Sequence, residues 1–178
     1  QYGNMSILDK AMSKTNYWMY RLHLNHNKIE KILQNTFKDF RVLYELSISY
    51  NMVAHLLWGT FSRLHNLALM NLSNSFLHII QSHVFWGLRH LNNLILHNTN
   101  VHKINGDAFI DLVKLVTLDL TTNPIRWICL ESFHHLQQLK NLSISVYNLQ
   151  HATRRHFKYL VNVEYIHTDR GGFCCLLK

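Results

Sequence analysis

Phenylalanine recurs at a fixed interval of 24 residues through most of this 178-residue chain. The members of the series are Phe37, Phe61, Phe85, Phe109, Phe133 and Phe157, with no insertion between them. A repeat of constant length is typical of a solenoid, because each unit stacks on the next and contributes the same side chains to one continuous core. The register therefore predicts a stack of six similar units.

Apolar residues accompany each phenylalanine at four further positions of the repeat. With Phe at position 19, positions 4 and 6 are Leu22/Leu24, Leu46/Ile48, Met70/Leu72, Leu94/Leu96, Leu118/Leu120 and Leu142/Ile144. Such a pair, two residues apart, indicates a short strand with one buried face. Positions 11 and 22 are Ile29, Val53, Leu77, Val101, Ile125, Leu149 and Phe40, Leu64, Leu88, Leu112, Leu136, Leu160. This is the leucine-rich repeat pattern.

The pattern predicts an α/β leucine-rich repeat solenoid, shaped as a curved horseshoe. We expect a parallel β-sheet on its concave side and irregular or short helical returns on its convex side. Residues 1–18 form a degenerate N-terminal partial repeat, residues 19–162 hold the six repeats, and residues 163–178 form a partial C-terminal repeat and the start of a cysteine-containing cap or hinge. The chain starts at Gln1 rather than Met, so we interpret it as a fragment of a longer protein.

Position 9 is polar in most repeats. Asn27, Asn51 and Asn123 are predicted to bond the backbone where each strand turns away, and Ser75 and Thr99 partly replace them. Tyr147 cannot serve in the same way. We therefore expect this ladder to fray towards the C-terminal end.

Charge and motifs limit the possible functions. The formal charge is +8, but the basic residues are spread over the returns without an aromatic stacking platform, so we predict a solvated flank and no nucleic-acid partner. The 14 histidines show no zinc spacing, and no nucleophile elbow, P-loop or dinucleotide fingerprint occurs. The sequence thus predicts no enzyme, no metal site and no cofactor.

Cysteines and glycosylation sequons give weaker signals. Cys129, Cys174 and Cys175 are an odd number; they fit either a disulfide-closed end, with a partner beyond Lys178, or ordinary thiols. Three sequons make Asn4, Asn71 and Asn141 candidate glycosylation sites, although the abundance of asparagine predicts about as many by chance.

The side chains that flank each buried strand pair are predicted to face the concave side. Leu69 and Ile95 would form an apolar anchor there, with Glu45 and Asp119 as charge partners for a basic ligand. Asn71, His97, Thr121 and Ser143 would supply adaptable polar contacts. The alternative is a solvated sheet face with two incidental aliphatic residues. Six strands would give a flat face of roughly 400 Å², about half of what a partner contributes to a standard interface.

The C-terminal third resembles the last repeats of relaxin-type leucine-rich repeat receptors, which are G protein-coupled. The residues that carry the resemblance are Asn123-Pro124-Ile125, Leu142-Ser143-Ile144, the Phe157–Ile166 run with Leu160, Asn162 and Val163, and Phe173-Cys174. The resemblance implies a receptor ectodomain on the extracellular side of the plasma membrane, a parent that is a membrane protein, an insulin- or relaxin-like peptide ligand, and Cys174 as the cysteine that bonds into a hinge. The alternative is a cell-surface or secreted adhesion module without a signalling domain.

Overall fold

The computed structural model describes residues 6–9, 17–149 and 153–169. Its elements are β1 (Ile7–Leu8), β2 (Arg21–His23), β3 (Lys31–Ile32), β4 (Glu45–Ser47), β5 (Leu69–Asn71), β6 (Ile79–Ile80), β7 (Asn93–Ile95), β8 (Lys103–Ile104), β9 (Thr117–Leu120), β10 (Trp127–Ile128), β11 (Asn141–Ile144), α1 (Arg154–Phe157) and β12 (Tyr165–Thr168). Strands at the predicted positions and one short helix confirm the predicted leucine-rich repeat solenoid.

Seven of the strands form one parallel sheet, in the order β2-β4-β5-β7-β9-β11-β12. Neighbouring strands pair residues that are 24 apart, as in the match of Leu94 to Leu118. All twelve apolar residues at positions 4 and 6 are buried. The sheet extends beyond the sixth repeat, because β12 pairs with β11 from Asn141↔Tyr165 to Ile144↔Thr168.

The returns on the convex side also pair, which the sequence did not predict. Strands β6, β8 and β10 form a three-stranded parallel sheet, and β1 pairs with β3. Only an isolated bridge between Lys31 and His55 represents the second repeat in this ladder. The convex ladder is therefore interrupted between β3 and β6.

A column of stacked phenylalanines runs through the apolar core between the two ladders. Successive rings from Phe37 to Phe157 lie 5.7–6.4 Å apart, centroid to centroid, with interplanar angles of 5–25°. Each of these rings is at most 3% exposed. The column passes without interruption through all six repeats, so it couples each repeat to the next.

Asn51 and Asn123 form the predicted asparagine ladder and link consecutive repeats. Asn27 donates only to carbonyls of its own repeat, and its buried Oδ1 has no partner among the described residues. The Asn123 carboxamide accepts from the backbone N–H of Thr99 (2.9 Å) and Val101 (3.0 Å) and donates to the carbonyl of Leu96 (2.7 Å). Asn51 accepts from the Ile29 N–H (3.0 Å) and donates to the Leu24 carbonyl (2.9 Å) of the repeat before it.

The residues that replace asparagine at position 9 differ in how well they make its hydrogen bonds. Thr99 donates its hydroxyl to the Leu96 carbonyl (2.9 Å), whereas the buried hydroxyl of Ser75 has no partner among the described residues. Tyr147 is 76% exposed and lies outside the ladder. A carboxylate oxygen of Asp169 accepts from the Val146 N–H at 2.7 Å, as the Ser145 hydroxyl does from the Thr122 N–H one repeat earlier; this bond does not replace that of an asparagine at position 9.

Candidate ligand-binding site on the concave sheet

Parallel pairing arranges the concave side chains in rows that run across the strands. Asn71, Ile95, Asp119 and Ser143 occupy one row, because they are register partners on β5, β7, β9 and β11. Glu45 and Leu69 are partners in the neighbouring row. His97 lies just past the end of β7, and Thr121 lies in the turn after β9. The His97 Nδ1 is 2.9 Å from the Thr121 Oγ1. All eight predicted residues thus lie on the concave side.

A shallow depression of about 210 Å³ lies between β4, β5 and β7. It is lined by eight residues of these strands: Glu45, Leu46, Ser47, Leu69, Met70, Asn71, Asn93 and Ile95. Leu69 and Ile95 are half-buried rather than freely exposed as the sequence suggested, because side chains on adjacent strands lie only about 5 Å apart. The structure therefore brings the proposed apolar anchor and one of the two acids to the same place.

Glu45 is already paired within the chain. Its carboxylate lies 3.2 Å from the Arg21 Nε and 2.9 Å from the His23 Nε2. The Arg21 side chain is 64% exposed and that of Glu45 only 24%. A basic ligand would have to displace these two side chains, so Glu45 offers less free negative charge than its sequence position suggested.

Asp119 is held differently, at the base of a short polar chain. Its Oδ1 accepts from the Thr121 backbone N–H (2.9 Å) and from the Thr121 hydroxyl (2.6 Å). Because that hydroxyl donates to Asp119, it must accept from His97, and this fixes the proton of a neutral His97 on Nδ1. Among the described residues Asp119 has no ion-pair partner, so its charge is available to a ligand.

Asp119 does not lie in the depression that Glu45 lines. Three strand spacings separate β4 from β9 in the sheet order, which corresponds to about 14 Å. The two acids therefore cannot contact one basic side chain together. A ligand that uses both must extend across at least four strands.

Two aromatic stacks at the ends of β2 and β4 were missed by the sequence reading. Tyr20 stacks on Tyr44 with ring centroids 4.9 Å apart, and His26 stacks on Tyr50 at 4.4 Å. Tyr20 and Tyr50 are each about half exposed. Both pairs are 24 residues apart, so the repeat period was the signal that could have found them.

The candidate glycosylation sites lie partly on this face. Asn71 and Asn141 are half-buried on β5 and β11, and the Asn141 Nδ2 lies 3.3 Å from the Thr117 hydroxyl. A glycan on either would cover neighbouring concave side chains. Asn4 and Cys174 lie outside the described residues. Their predicted roles, and those of Asn71 and Asn141, stay predictions.

In the part of the chain that the structure describes, no group of three or more His, Cys, Asp or Glu side chains is arranged to hold a metal ion. No helix in that part combines the length and the apolar character that a membrane span requires.

A family model described as leucine rich repeat matches residues 19–75, 41–101 and 66–125. The chain belongs to the leucine-rich repeat family. A solved structure titled as the TLR13–ssRNA13 complex is similar to 90% of this leucine-rich repeat chain, with a TM-score of 0.81 and 26% sequence identity. The similarity covers 23% of that protein, so the chain spans about a quarter of its length. No curated protein matches the chain.

Proposed function

We propose that this chain is the ligand-binding leucine-rich repeat region of a cell-surface receptor and that its concave sheet binds a protein or peptide. The observation that carries the proposal is the half-buried apolar pair of Leu69 and Ile95, with Ile95 next to Asp119 on one continuous sheet. The Asp119 carboxylate has no ion-pair partner among the described residues. Apolar anchors next to a focused charge are the usual centre of a protein interface. Leucine-rich repeat solenoids are scaffolds of this kind.

The finer proposal is a receptor of relaxin type on the extracellular side of the plasma membrane, with an insulin- or relaxin-like peptide as its ligand. It is supported by the C-terminal motifs from Asn123 to Cys174 and by the availability of Asp119 to an arginine of such a peptide. Coupling to a G protein would belong to segments of the protein outside this chain.

A titration with an insulin-like peptide tests the concave site. We expect Asp119→Asn to weaken binding at least tenfold, since losing a charge pair at the centre of an interface costs about 2–5 kcal/mol and tenfold corresponds to about 1.4 kcal/mol. Glu45→Gln should have a smaller effect, because the Arg21 guanidinium already pairs with the Glu45 carboxylate and the His23 ring contacts it. Asp107→Asn, with the same loss of charge on an exposed residue of the convex returns, is the control.

Three outcomes would redirect the assignment. If Asp119→Asn weakens binding less than threefold, the ligand does not use this face. If single-stranded RNA binds and competes with the peptide, the prediction of no nucleic-acid partner is wrong. If the gene continues into a single membrane span or ends soon after Lys178, rather than encoding seven apolar segments, the adhesion module replaces the receptor.

A further inference from the structure

A second cavity lies on the opposite, convex side of the solenoid. Its volume is about 530 Å³, which falls within the range of small-molecule sites in proteins. Most of its wall is apolar and comes from Ile32, Leu33, Met52, Ala54, Leu57 and Phe76. Four of these side chains, Leu33, Met52, Leu57 and Phe76, are 43–52% exposed. The cavity is far from the concave site, since it is built from the returns of the first three repeats.

Stacking of the repeats does not require these exposed apolar residues. Leu33 and Leu57 stand at position 15, where the next two repeats have Gln81 and Asn105. At position 10, where Met52 and Phe76 stand, later repeats have Asn100, Pro124 and Asn148. The same backbone positions accept polar residues elsewhere in the solenoid, so the fold does not itself require the apolar patch on repeats 1 to 3.

The cavity coincides with the interruption of the convex ladder. In the intact part of the ladder the Asn105 N–H bonds the Ile80 carbonyl and the Cys129 N–H bonds the Ile104 carbonyl, both at 3.0 Å. Among the described residues, no such backbone bond forms at Leu57 or Gln81. Ala54 adds space at this point, because the equivalent residues of the following repeats are His78, His102 and Arg126.

The rim of the cavity carries one cation and one further donor, side by side. Lys31 and His55 are bridge partners on adjacent rungs, and both are exposed. Neither forms an ion pair with another described residue. Glu30 also lies at the rim. The negative charge of Glu30 repels a doubly charged head group more strongly than a singly charged one, so a ligand with one negative charge fits best beside Lys31.

We propose that this convex cavity binds a small amphiphilic monocarboxylate. Its apolar body contacts Leu33, Leu57, Met52 and Phe76, and its carboxylate accepts hydrogen bonds from Lys31 and His55. Burying the four exposed apolar side chains against the ligand provides the affinity, and the ammonium group selects a singly charged acid over a neutral molecule of the same length.

Oleate, used below the concentration at which it forms micelles, tests the proposal by displacement of a fluorescent fatty acid. We expect saturable binding that the double substitution Leu33→Gln and Leu57→Gln weakens at least tenfold. Glutamine already occupies this position at Gln81, so the variant should fold, and unchanged thermal unfolding would verify this. The control Asn105→Gln, at the same position of a repeat outside the cavity, should change binding less than twofold.

The head group is tested separately. Lys31→Gln should weaken oleate binding but leave the weaker binding of oleyl alcohol unchanged, and oleyl phosphate should bind less well than oleate. Absence of saturable oleate binding, or equal loss in Asn105→Gln, would overturn the proposal. Size measurements test whether a second copy of the chain covers the patch instead. A dimer that dissociates in the double variant would show self-association and would overturn the proposal.

Discussion

At the scale of single residues, two glycines distinguish the energetic cost of steric overlap from the cost of an unfavourable backbone conformation. Both have positive φ, +74° at Gly59 and +91° at Gly87. A Cβ on Gly87 would lie 2.7 Å from the Ser62 carbonyl oxygen, whereas one on Gly59 would meet nothing closer than 3.8 Å. We expect Gly87→Ala to lower the free energy of unfolding by about 2–5 kcal/mol, from strain plus steric overlap. Gly59→Ala should cost about 1–2 kcal/mol, from strain alone. Equal losses in urea denaturation would contradict this explanation.

Asn123 makes the largest set of hydrogen bonds of any described side chain at position 9. Because it is 3% exposed, no water would replace those bonds readily. We expect Asn123→Ala to lower the free energy of unfolding by about 3–5 kcal/mol, since several buried backbone groups lose their partners. The exposed Asn66, which donates to the Arg41 carbonyl at 2.7 Å, is the control, and Asn66→Ala should cost only about 0.5–1.5 kcal/mol. Similar losses would mean that the ladder contributes little to stability.

At the scale of elements, the interrupted convex ladder predicts uneven backbone protection. The amides of Asn105 and Cys129 are bonded to the preceding rung, and those of Leu57 and Gln81 are not. We expect faster hydrogen exchange at Leu57 and Gln81, because an amide without a bonded partner exchanges without a prior opening step. Exchange measured by NMR at neutral pH checks this, and equal protection at all four amides would show that the ladder is continuous in solution.

The sequence predicted the concave strands but not the convex ones, for a physical reason. A concave strand buries two residues in every repeat, so its period-2 apolar signal recurs six times, as at Leu94 and Leu96. A convex strand has only two residues, of which one is buried, such as Ile104 in β8. A single apolar residue gives no alternating pattern by which a strand could be recognised. The pairing of such strands follows from the stacking of whole repeats and cannot be predicted from local pattern.

The sequence predicted where the candidate site lies but not which of its two acids is available to a basic ligand. Placing Glu45, Asp119 and Ile95 on the concave face needed only the alternation of strand side chains. The pairing of Glu45 depends on the rotamers of Arg21 and His23, although the 24-residue distance between Arg21 and Glu45 already made these two residues neighbours. Asp119 lacks a basic residue at the corresponding position of either adjacent strand, Ile95 or Ser143. A comparison of charges at equivalent positions of adjacent repeats would have shown that Glu45 has a basic neighbour and that Asp119 has none.

At the scale of the whole molecule, stability is shared through the phenylalanine column and the sheet. Each repeat contacts mainly its neighbours, so the solenoid behaves as a row of units whose interfaces provide the coupling. The ring of Phe109 contributes to two of these interfaces, with Phe85 at 6.1 Å and Phe133 at 6.0 Å. Fewer repeats lie on its C-terminal side, so that side depends more on the coupling.

We therefore expect Phe109→Ala to divide the unfolding of the chain into two transitions. The substitution should cost about 3–5 kcal/mol, and because the lost contacts join the two sides, β11 should lose amide protection at a lower urea concentration than β4. In the unsubstituted chain the two strands should lose protection together. Hydrogen exchange followed across a urea series measures both strands in one experiment. Val113→Ala, at a side chain that is 43% exposed, is the control and should shift stability by less than about 0.5 kcal/mol. A single shared transition in Phe109→Ala would show that the sheet hydrogen bonds alone suffice to couple the repeats.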